Sequence, residues 1–515
     1  MSTNGCPHSN GASQPDWPMP NLPSKCTWAL GKDFSESPHK HVAKVNWHRE
    51  RPKIISNVLE YIGDTPMIQL NKIKKMYGLK CELLGKCEIF NAGGSVKDRI
   101  ALPMIEAAER SGKLKPGGTV IKPTSGNAGI GIALVCAVKG YKCVIVMPQR
   151  MSKEKADVLR ALGAECVRTA NGAPVTSPES HIAVAYRLGR EIPNSLVLDQ
   201  YVDATNPLAH YDTTAEEIVF QCDGKLDMCI MGTGTGGTAT GVGRKLKEKI
   251  PGVKIVGVDP VGSKMALPPE VNKTNVKGFQ VEGIGHGWVP TVCDQDIIDI
   301  WVKVGDKESF NMARRLIRHE GLLVGGSCGT AICAAVEAAK DLREDQRCVV
   351  ILPDSVRNYM TKFLSDEWML ENGWLEEEET IPAAKQPWWW SKTVESLKLR
   401  EMTTVDAQAK CKECIEVLKK GGFDQLPVKN GDGSVVGMVT LSALMAKLVK
   451  GEMKADDPVS SALLQQFRKV DPSTSLAELS KILNAIPFAV VQNGKGPVGV
   501  VTSIDFVDYI TNGVH

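Results

Sequence analysis

Between about 53 and 360 the chain alternates short apolar runs with longer stretches whose apolar positions recur at helical spacing. Runs 81–87, 119–122, 142–147, 228–231, 254–258 and 347–352 read as strands, and 98–112, 128–139, 152–162 and 238–249 read as helices that follow some of them. Strands that are apolar almost throughout are those covered on both faces, so the pattern predicts an α/β fold with largely parallel sheets between helices. In such sheets ligands bind beyond the carboxyl ends of the strands. The glycine-rich turns of this chain fall at those ends.

The two termini read differently. Residues 1–47 are rich in Pro, Ser, Asn, Cys and His and carry few periodic apolar positions, which predicts an arm without a core of its own. A segment at 376–397, acidic and then rich in tryptophan, reads as a linker, and beyond it the chain repeats itself. Val405-Asp406, a helix, Leu426-Pro427-Val428 and the run 435–440 recur as Val470-Asp471, a helix, 488–491 and 498–502. At 515 residues the chain exceeds what one core holds, about 250 to 300 residues. The expected division is an arm (1–47), an α/β domain (48–375), a linker (376–397) and a duplicated α+β module (398–515, with repeats near 398–453 and 456–513).

Charge changes this picture little. The 62 Lys and Arg nearly balance the 59 Asp and Glu, giving no general attraction to nucleic acid or to an anionic membrane, so small polar partners are expected. No run approaches a membrane span, and the start of the chain has no basic-then-apolar leader, which predicts a soluble, cytoplasmic protein. The 15 cysteines are scattered through apolar segments, as buried reduced thiols are. The one C-x-x-C, Cys411 to Cys414, has no second pair and sits in a helical pattern, which favours a structural role.

Four stretches carry candidate chemistry. Asn91-Ala92-Gly93-Gly94-Ser95-Val96-Lys97-Asp98-Arg99 precedes a helix, and a desolvated lysine there can form a reversible Schiff base with a carbonyl cofactor; a solvated surface lysine is the ordinary alternative. Thr124-Ser125-Gly126-Asn127 joins a strand to a helix and offers hydroxyls, an amide and backbone N–H groups to a carboxylate, or merely caps the turn. Gly232-Thr233-Gly234-Thr235-Gly236-Gly237-Thr238 follows a strand and suits a phosphate. It also satisfies G-x-G-x-x-G, with Asp259 placed for a ribose, so a dinucleotide has to be considered. Gly325-Gly326-Ser327 precedes an apolar helix, where Ser327 can cap the helix or hydrogen-bond a ring nitrogen.

In this order the four stretches resemble the β-family, or fold type II, of pyridoxal-phosphate enzymes. The resemblance extends through Ile62-Gly63-Asp64-Thr65-Pro66, Asp199-Gln200-Tyr201, Asn206-Pro207-Leu208-Ala209-His210-Tyr211, the segment 352–359 and Trp388-Trp389-Trp390, covering nearly the whole chain. It implies two α/β subdomains around parallel-rich sheets. It also implies Lys97 as the Schiff-base lysine, Asn127 at the ring oxygen of pyridoxal 5'-phosphate, Gly234, Thr235, Gly236, Gly237 and Thr238 around its phosphate, and Ser327 at its ring nitrogen. Thr124, Ser125, Gly126 and Gln200 fall to the substrate carboxylate. A hydride-transfer cofactor would leave Lys97 and two of the turns without a task.

The implied reaction is β-replacement: L-serine and L-homocysteine give L-cystathionine and water, with hydrogen sulfide from cysteine as a side activity. The alternative within the family is cysteine synthesis from O-acetylserine and sulfide; a serine or threonine dehydratase is less favoured, as is a non-catalytic nucleotide sensor. The same resemblance makes Cys26 and His39 axial ligands of a haem b held by the arm, with Arg244 beside the thiolate. It makes the C-terminal repeat a tandem CBS-type module in which Phe423, Asp424, Gln425, Thr502 and Asp505 would bind S-adenosylmethionine, and it implies a homodimer or larger assembly. Two departures stand out. Residues 250–253 carry no C-x-x-C, and His286 stands where the family has tyrosine.

Overall fold

The computed structural model describes residues 19–24, 26, 28–32, 53–124, 126–149, 152–170, 173–174, 176–376, 387–397, 399, 402–431, 433–449, 451–464, 467–486, 488–493 and 496–512. Packing divides the chain into two compact units, Met1–Leu364 and Ser365–His515.

The first unit holds two sheets. One has four parallel strands in the order Glu165–Thr169, Lys142–Pro148, Thr119–Pro123, Ser195–Val197. The other has six strands in the order Met67–Gln69, Glu82–Cys87, Arg347–Leu352, Met228–Gly232, Lys254–Pro260, Ile300–Val304, all parallel except the first pair. The α/β class read from the apolar pattern is therefore present, and the reason is visible: all five residues of Thr119–Pro123 are buried. Ile130, Val135, Met104 and Ile105 pack against one face of the four-stranded sheet and Val184 and Ala185 against the other. In the six-stranded sheet Cys229, Ile255 and Val349 share a core with Ile218, Val242 and Leu246. At about 25 cal/mol per Å² of apolar surface, such fully buried strands and helix faces are the main favourable term of the fold.

Both turns that matter lie at carboxyl ends of strands. Thr124 follows Thr119–Pro123 and leads into the helix Asn127–Lys139; Gly232 ends its strand and leads into the helix Gly237–Lys249. The second unit contains two three-stranded sheets of the same design, one parallel and one antiparallel pair each: Val405–Asp406, Gln425–Lys429, Val435–Thr440, and Arg468–Val470, Phe488–Asn493, Gly496–Thr502. Met438 of the first copy packs on Phe488 and Val490 of the second. The tryptophan-rich stretch belongs to this unit, with Trp389 edge-on to Phe506 at 5.1 Å. So does the helix Asp366–Glu371, through Leu370. Cys411 and Cys414 are both buried in the helix Cys411–Gly421, and every described cysteine is a free thiol.

Candidate active site

Lys97 lies immediately before the helix Asp98–Arg110, and its turn is stitched to the end of the strand Arg347–Leu352. Val96 N donates to Pro353 O at 2.8 Å, Ser355 N donates to Gly94 O at 3.1 Å, and Ser95 bridges to Asp354. Protein surrounds the side chain except toward a cleft. Burial lowers its proton affinity, although Asp354, Glu88 and Asp98 pull the other way. A lysine amine desolvated in this way is what a carbonyl-bearing cofactor requires.

A buried charge network anchors the next residue. Arg99 donates to Glu88 at 2.6 and 2.8 Å and to Glu217 at 2.7 Å, and Lys86 donates to Glu217 at 2.5 Å. Burial alone would raise the Glu88 carboxyl; the Arg99 guanidinium overrides it and holds the carboxyl at about 2. Four buried charges fix the loop geometry only because each is paired.

The Thr124 to Asn127 turn approaches Lys97 from the other sheet. Thr124 Oγ1 accepts from Gly126 N at 3.1 Å, and Gly126 takes φ 141°, where an added Cβ would sit 2.6 Å from Lys155 Cδ. Ser125 lies outside the described residues. Asn127 Nδ2 donates to Asp354 Oδ2 at 2.7 Å, and Asn358 Nδ2 donates to Asn127 Oδ1 at 3.1 Å. Gln200 faces the same cleft; it is 3% exposed and its Oε1 is buried without a partner among the described residues.

The glycine turn is shaped for close approach. An added Cβ on Gly234 would lie 2.5 Å from Gly283 O, and one on Gly237 would lie 2.1 Å from Asn206 Oδ1. Asn206 Nδ2 donates to Thr235 Oγ1 at 3.0 Å, while Thr238 Oγ1 meets His210 Nε2 at 3.2 Å and His210 Nδ1 meets Thr214 Oγ1 at 3.0 Å. Burial pushes His210 well below the usual imidazole range, so the ring is neutral and donates through one nitrogen while accepting through the other. Gly236, at φ 84°, sets the helix N-terminus, whose free N–H groups favour an anion. Asp259 is not open to a ribose, because it is fully buried, with its Oδ2 accepting from Lys303 at 2.7 Å and from the N–H groups of Met265 and Ala266.

Lys97, Thr124, Asn127, Gln200, Thr235 and Ser327 all line one cleft. A recess joins Lys97 to Gly234, Thr235 and Thr238. Ser327 is the second residue of the helix Gly326–Ala338 and is 2% exposed. Across the cleft stands a group to which the motifs gave no role: Lys155 donates to Glu282 at 2.7 Å and to Tyr359 at 3.1 Å, Lys362 also bonds Glu282, and Tyr359 donates to Asp354. Nothing in local spacing marks Lys155, Glu282 or Lys362. Asp354, Asn358, Asn206 and His210 lay within segments that carried the resemblance, without assigned tasks.

Outside the cleft, Arg244 Nη1 donates to Cys26 Sγ at 3.2 Å and its guanidinium stacks on Trp28 at 4.7 Å. His39 lies outside the described residues, and among the described residues no group of three metal-binding side chains gathers. In the second unit, Thr502 donates through N and Oγ1 to Asp505 at 2.8 and 2.7 Å, whereas the corresponding Thr440 meets Ser442. Phe423 and Asp424 immediately precede, and Gln425 begins, the strand Gln425–Lys429 of the other copy.

A desolvated lysine, a glycine turn at a helix N-terminus and a helix-start serine that share one cleft are the groups a pyridoxal-phosphate enzyme requires. In agreement, residues 58–354 match the family of pyridoxal-phosphate dependent enzymes, and residues 394–450 and 459–512 match the CBS domain. The chain is 53% identical over 538 residues to cystathionine beta-synthase of Oryctolagus cuniculus, covering 99% of this chain and 97% of that protein. It is 47% identical to the Dictyostelium discoideum cystathionine beta-synthase, covering 95% of this chain and 98% of that one. Among solved structures it resembles a hydrogen sulfide-producing enzyme of Fusobacterium nucleatum, with 36% identity, a TM-score of 0.55, and coverage of 59% of this chain and 100% of that one. It also resembles an O-acetylserine dependent cystathionine beta-synthase of Helicobacter pylori, with 35% identity, a TM-score of 0.55, and coverage of 60% and 98%. The chain belongs to the cystathionine beta-synthase family of pyridoxal-phosphate dependent enzymes.

Proposed function

We propose that this enzyme condenses L-serine with L-homocysteine to L-cystathionine and water, and releases hydrogen sulfide from cysteine as a side activity. The observation that carries the reading is Lys97, an amine of lowered proton affinity at the meeting of the two turns. Pyridoxal phosphate, bound there, supplies an electron sink for charge developing at the substrate Cα. Lys97 holds the cofactor covalently and, once released, removes the Cα proton. Thr124, Ser125, Gly126 and Gln200 orient the serine carboxylate, while Gly234, Thr235, Gly236, Gly237 and Thr238 fix the phosphate. Asn127 donates to the ring oxygen. Ser327 offers the ring nitrogen a neutral hydroxyl in place of a carboxylate, which disfavours ring protonation and so favours prompt loss of the Cβ hydroxyl.

Residues 1–47 are proposed as a haem b arm with Cys26 and His39 as axial ligands. The Arg244 bond to Cys26 supports this, because it holds the sulfur in place at the arm's edge of the first unit. The CBS repeat is proposed to bind S-adenosylmethionine, with Thr502 and Asp505 on the ribose and Phe423, Asp424 and Gln425 on the opposite wall. A cytoplasmic homodimer completes the proposal. The test is mass analysis of products from serine plus homocysteine beside a parallel reaction of O-acetylserine plus sulfide. Cystathionine from the first pair at the higher kcat/KM is the expected result, and cysteine from the second pair alone would replace this reading with cysteine synthesis.

A further inference from the structure

An ammonium group withdrawn from water is unfavourable unless nearby charges or hydrogen bonds offset the lost hydration. Lys122 is such a group. It lies in the strand Thr119–Pro123, is 0% exposed, and its Nζ has no hydrogen-bond partner among the described residues. That strand is interior to its sheet, between Lys142–Pro148 and Ser195–Val197. Ile121 pairs with Val197 and Leu198 N donates to Ile121 O at 2.9 Å, so two turns leave the sheet side by side. One begins at Thr124, and the other carries Asp199 and Gln200. Lys122 lies at their common root.

The second turn is closed by its own acidic residues. Asp199 Oδ1 accepts from Tyr201 N at 2.8 Å and Oδ2 accepts from Tyr186 Oη at 3.3 Å, while Asp203 N donates to Asp199 O at 3.1 Å and Asp203 Oδ1 accepts from Thr205 N at 2.9 Å. Asn206 Nδ2 then donates to Gln200 O at 2.9 Å besides its bond to Thr235. This loop therefore sets where the Gln200 amide stands. The charges around Lys122 are Asp199 and Asp203 from the loop and Lys97 from the turn before the helix Asp98–Arg110. Burial lowers the Lys122 proton affinity to about 8, with the two carboxylates opposing the fall and Lys97 adding to it.

We propose that Lys122 is a positioning residue for the first substrate: its buried ammonium attracts Asp199 and Asp203 and so holds the loop 199–206, and with it the Gln200 amide, against the Thr124 turn. No bond to Lys122 is made or broken in the reaction; it acts through Gln200. Because no hydrogen bond fixes the ammonium, the restraint is electrostatic and lasts only while the charge does. Below about pH 8 Lys122 is charged and the loop is drawn in; as pH rises through that value the restraint fades and serine binds less tightly.

The proposal rests on serine as the first substrate, and the experiment separates the two. Serine is titrated into the holoenzyme and followed by absorbance from about pH 6.5 to 9.5, beside steady-state kcat, in wild type, Lys122→Met and Asp203→Asn. Lys122→Met should weaken serine binding about tenfold at pH 7 with kcat within about twofold, and its deficit against wild type should shrink toward pH 9.5, where wild type has lost the charge as well. Asp203→Asn keeps an acceptor for Thr205 N but removes one carboxylate charge, and should move the wild-type transition about one unit to lower pH. Lys122→Met protein that binds serine as wild type does at pH 7 overturns the proposal, as does a deficit that is the same at every pH. Where Lys122→Met does not fold, an unshifted transition in Asp203→Asn overturns it. Wild-type holoenzyme with no saturable response to serine overturns the substrate reading beneath it.

Discussion

Asn127 and Asp354, 227 residues apart in the sequence, meet at 2.7 Å with Asn127 Nδ2 donating to Asp354 Oδ2. Asn358 donates to the other end of the same amide, so the orientation is set and one N–H of Asn127 is left for the cleft. Asp354 also heads the charges that keep the proton on Lys97. Replacing it by Asn removes that charge and leaves a single, neutral acceptor oxygen. Asp354→Asn should shift the acidic limb of the kcat profile to lower pH, because Lys97, released once substrate is bound, then loses its proton more readily, and lower kcat about tenfold as a charge-assisted hydrogen bond becomes a neutral one. A pH–rate series on the holoenzyme checks both; an unshifted limb would show that Asp354 does not govern Lys97.

Covalent attachment can be read directly. Borohydride reduction of the holoenzyme followed by peptide mapping should place a pyridoxyl group on Lys97, and Lys97→Ala should carry none and lose at least about 10³-fold in turnover. A label on Lys155 instead would relocate the chemistry.

The phosphate turn has no room for a methyl group. In Gly234→Ala the new Cβ would press on the backbone carbonyl of Gly283 at 2.5 Å, and backbone yields less readily than a side chain. Cofactor affinity, measured by equilibrium dialysis, should weaken at least about tenfold, the equivalent of one hydrogen bond. Far-UV circular dichroism should remain that of wild type.

Glu88 gives the pH dependence of stability a definite sign. Its folded carboxyl, with burial opposing and Arg99 prevailing, titrates at about 2 rather than at the ordinary 4.5. Its contribution is therefore complete above pH 4.5 and fades as pH falls from there toward 2. Glu88→Gln leaves Arg99 short of a buried counter-charge and should cost about 3 to 5 kcal/mol at pH 7 by urea denaturation. The difference between wild type and variant should narrow below pH 4.5; a constant gap would contradict the assignment.

Much of this architecture was legible because parallel strands buried on both faces leave long apolar runs. The run read at 228–231 is the strand Met228–Gly232, and the one read at 142–147 is Lys142–Pro148. The short strands Ser195–Val197 and Ile300–Val304 escaped, since each has few fully buried residues and too little length to show a period. Lys97, Asn127, Thr235 and Ser327 announced themselves through glycine-rich neighbours that a backbone approaching a ligand requires. Lys155, Glu282 and Lys362 did not. They converge from separate parts of the chain as single charged residues, and local spacing carries no trace of a pairing that only the folded sheets create. Asp259 shows the reverse case: a ribose-like spacing met by a carboxylate already bound to Lys303.

The stitching of residues 94–96 to residues 353–355 sets an order of events at the ribosome. The lysine turn is synthesised early, but the strand and turn that hold it emerge only after both sheets have been nearly completed. A nascent chain stopped before Pro353 carries the reactive amine without the clamp that aims it. The turn that aims the amine is therefore complete only when residues 353–355 are in place.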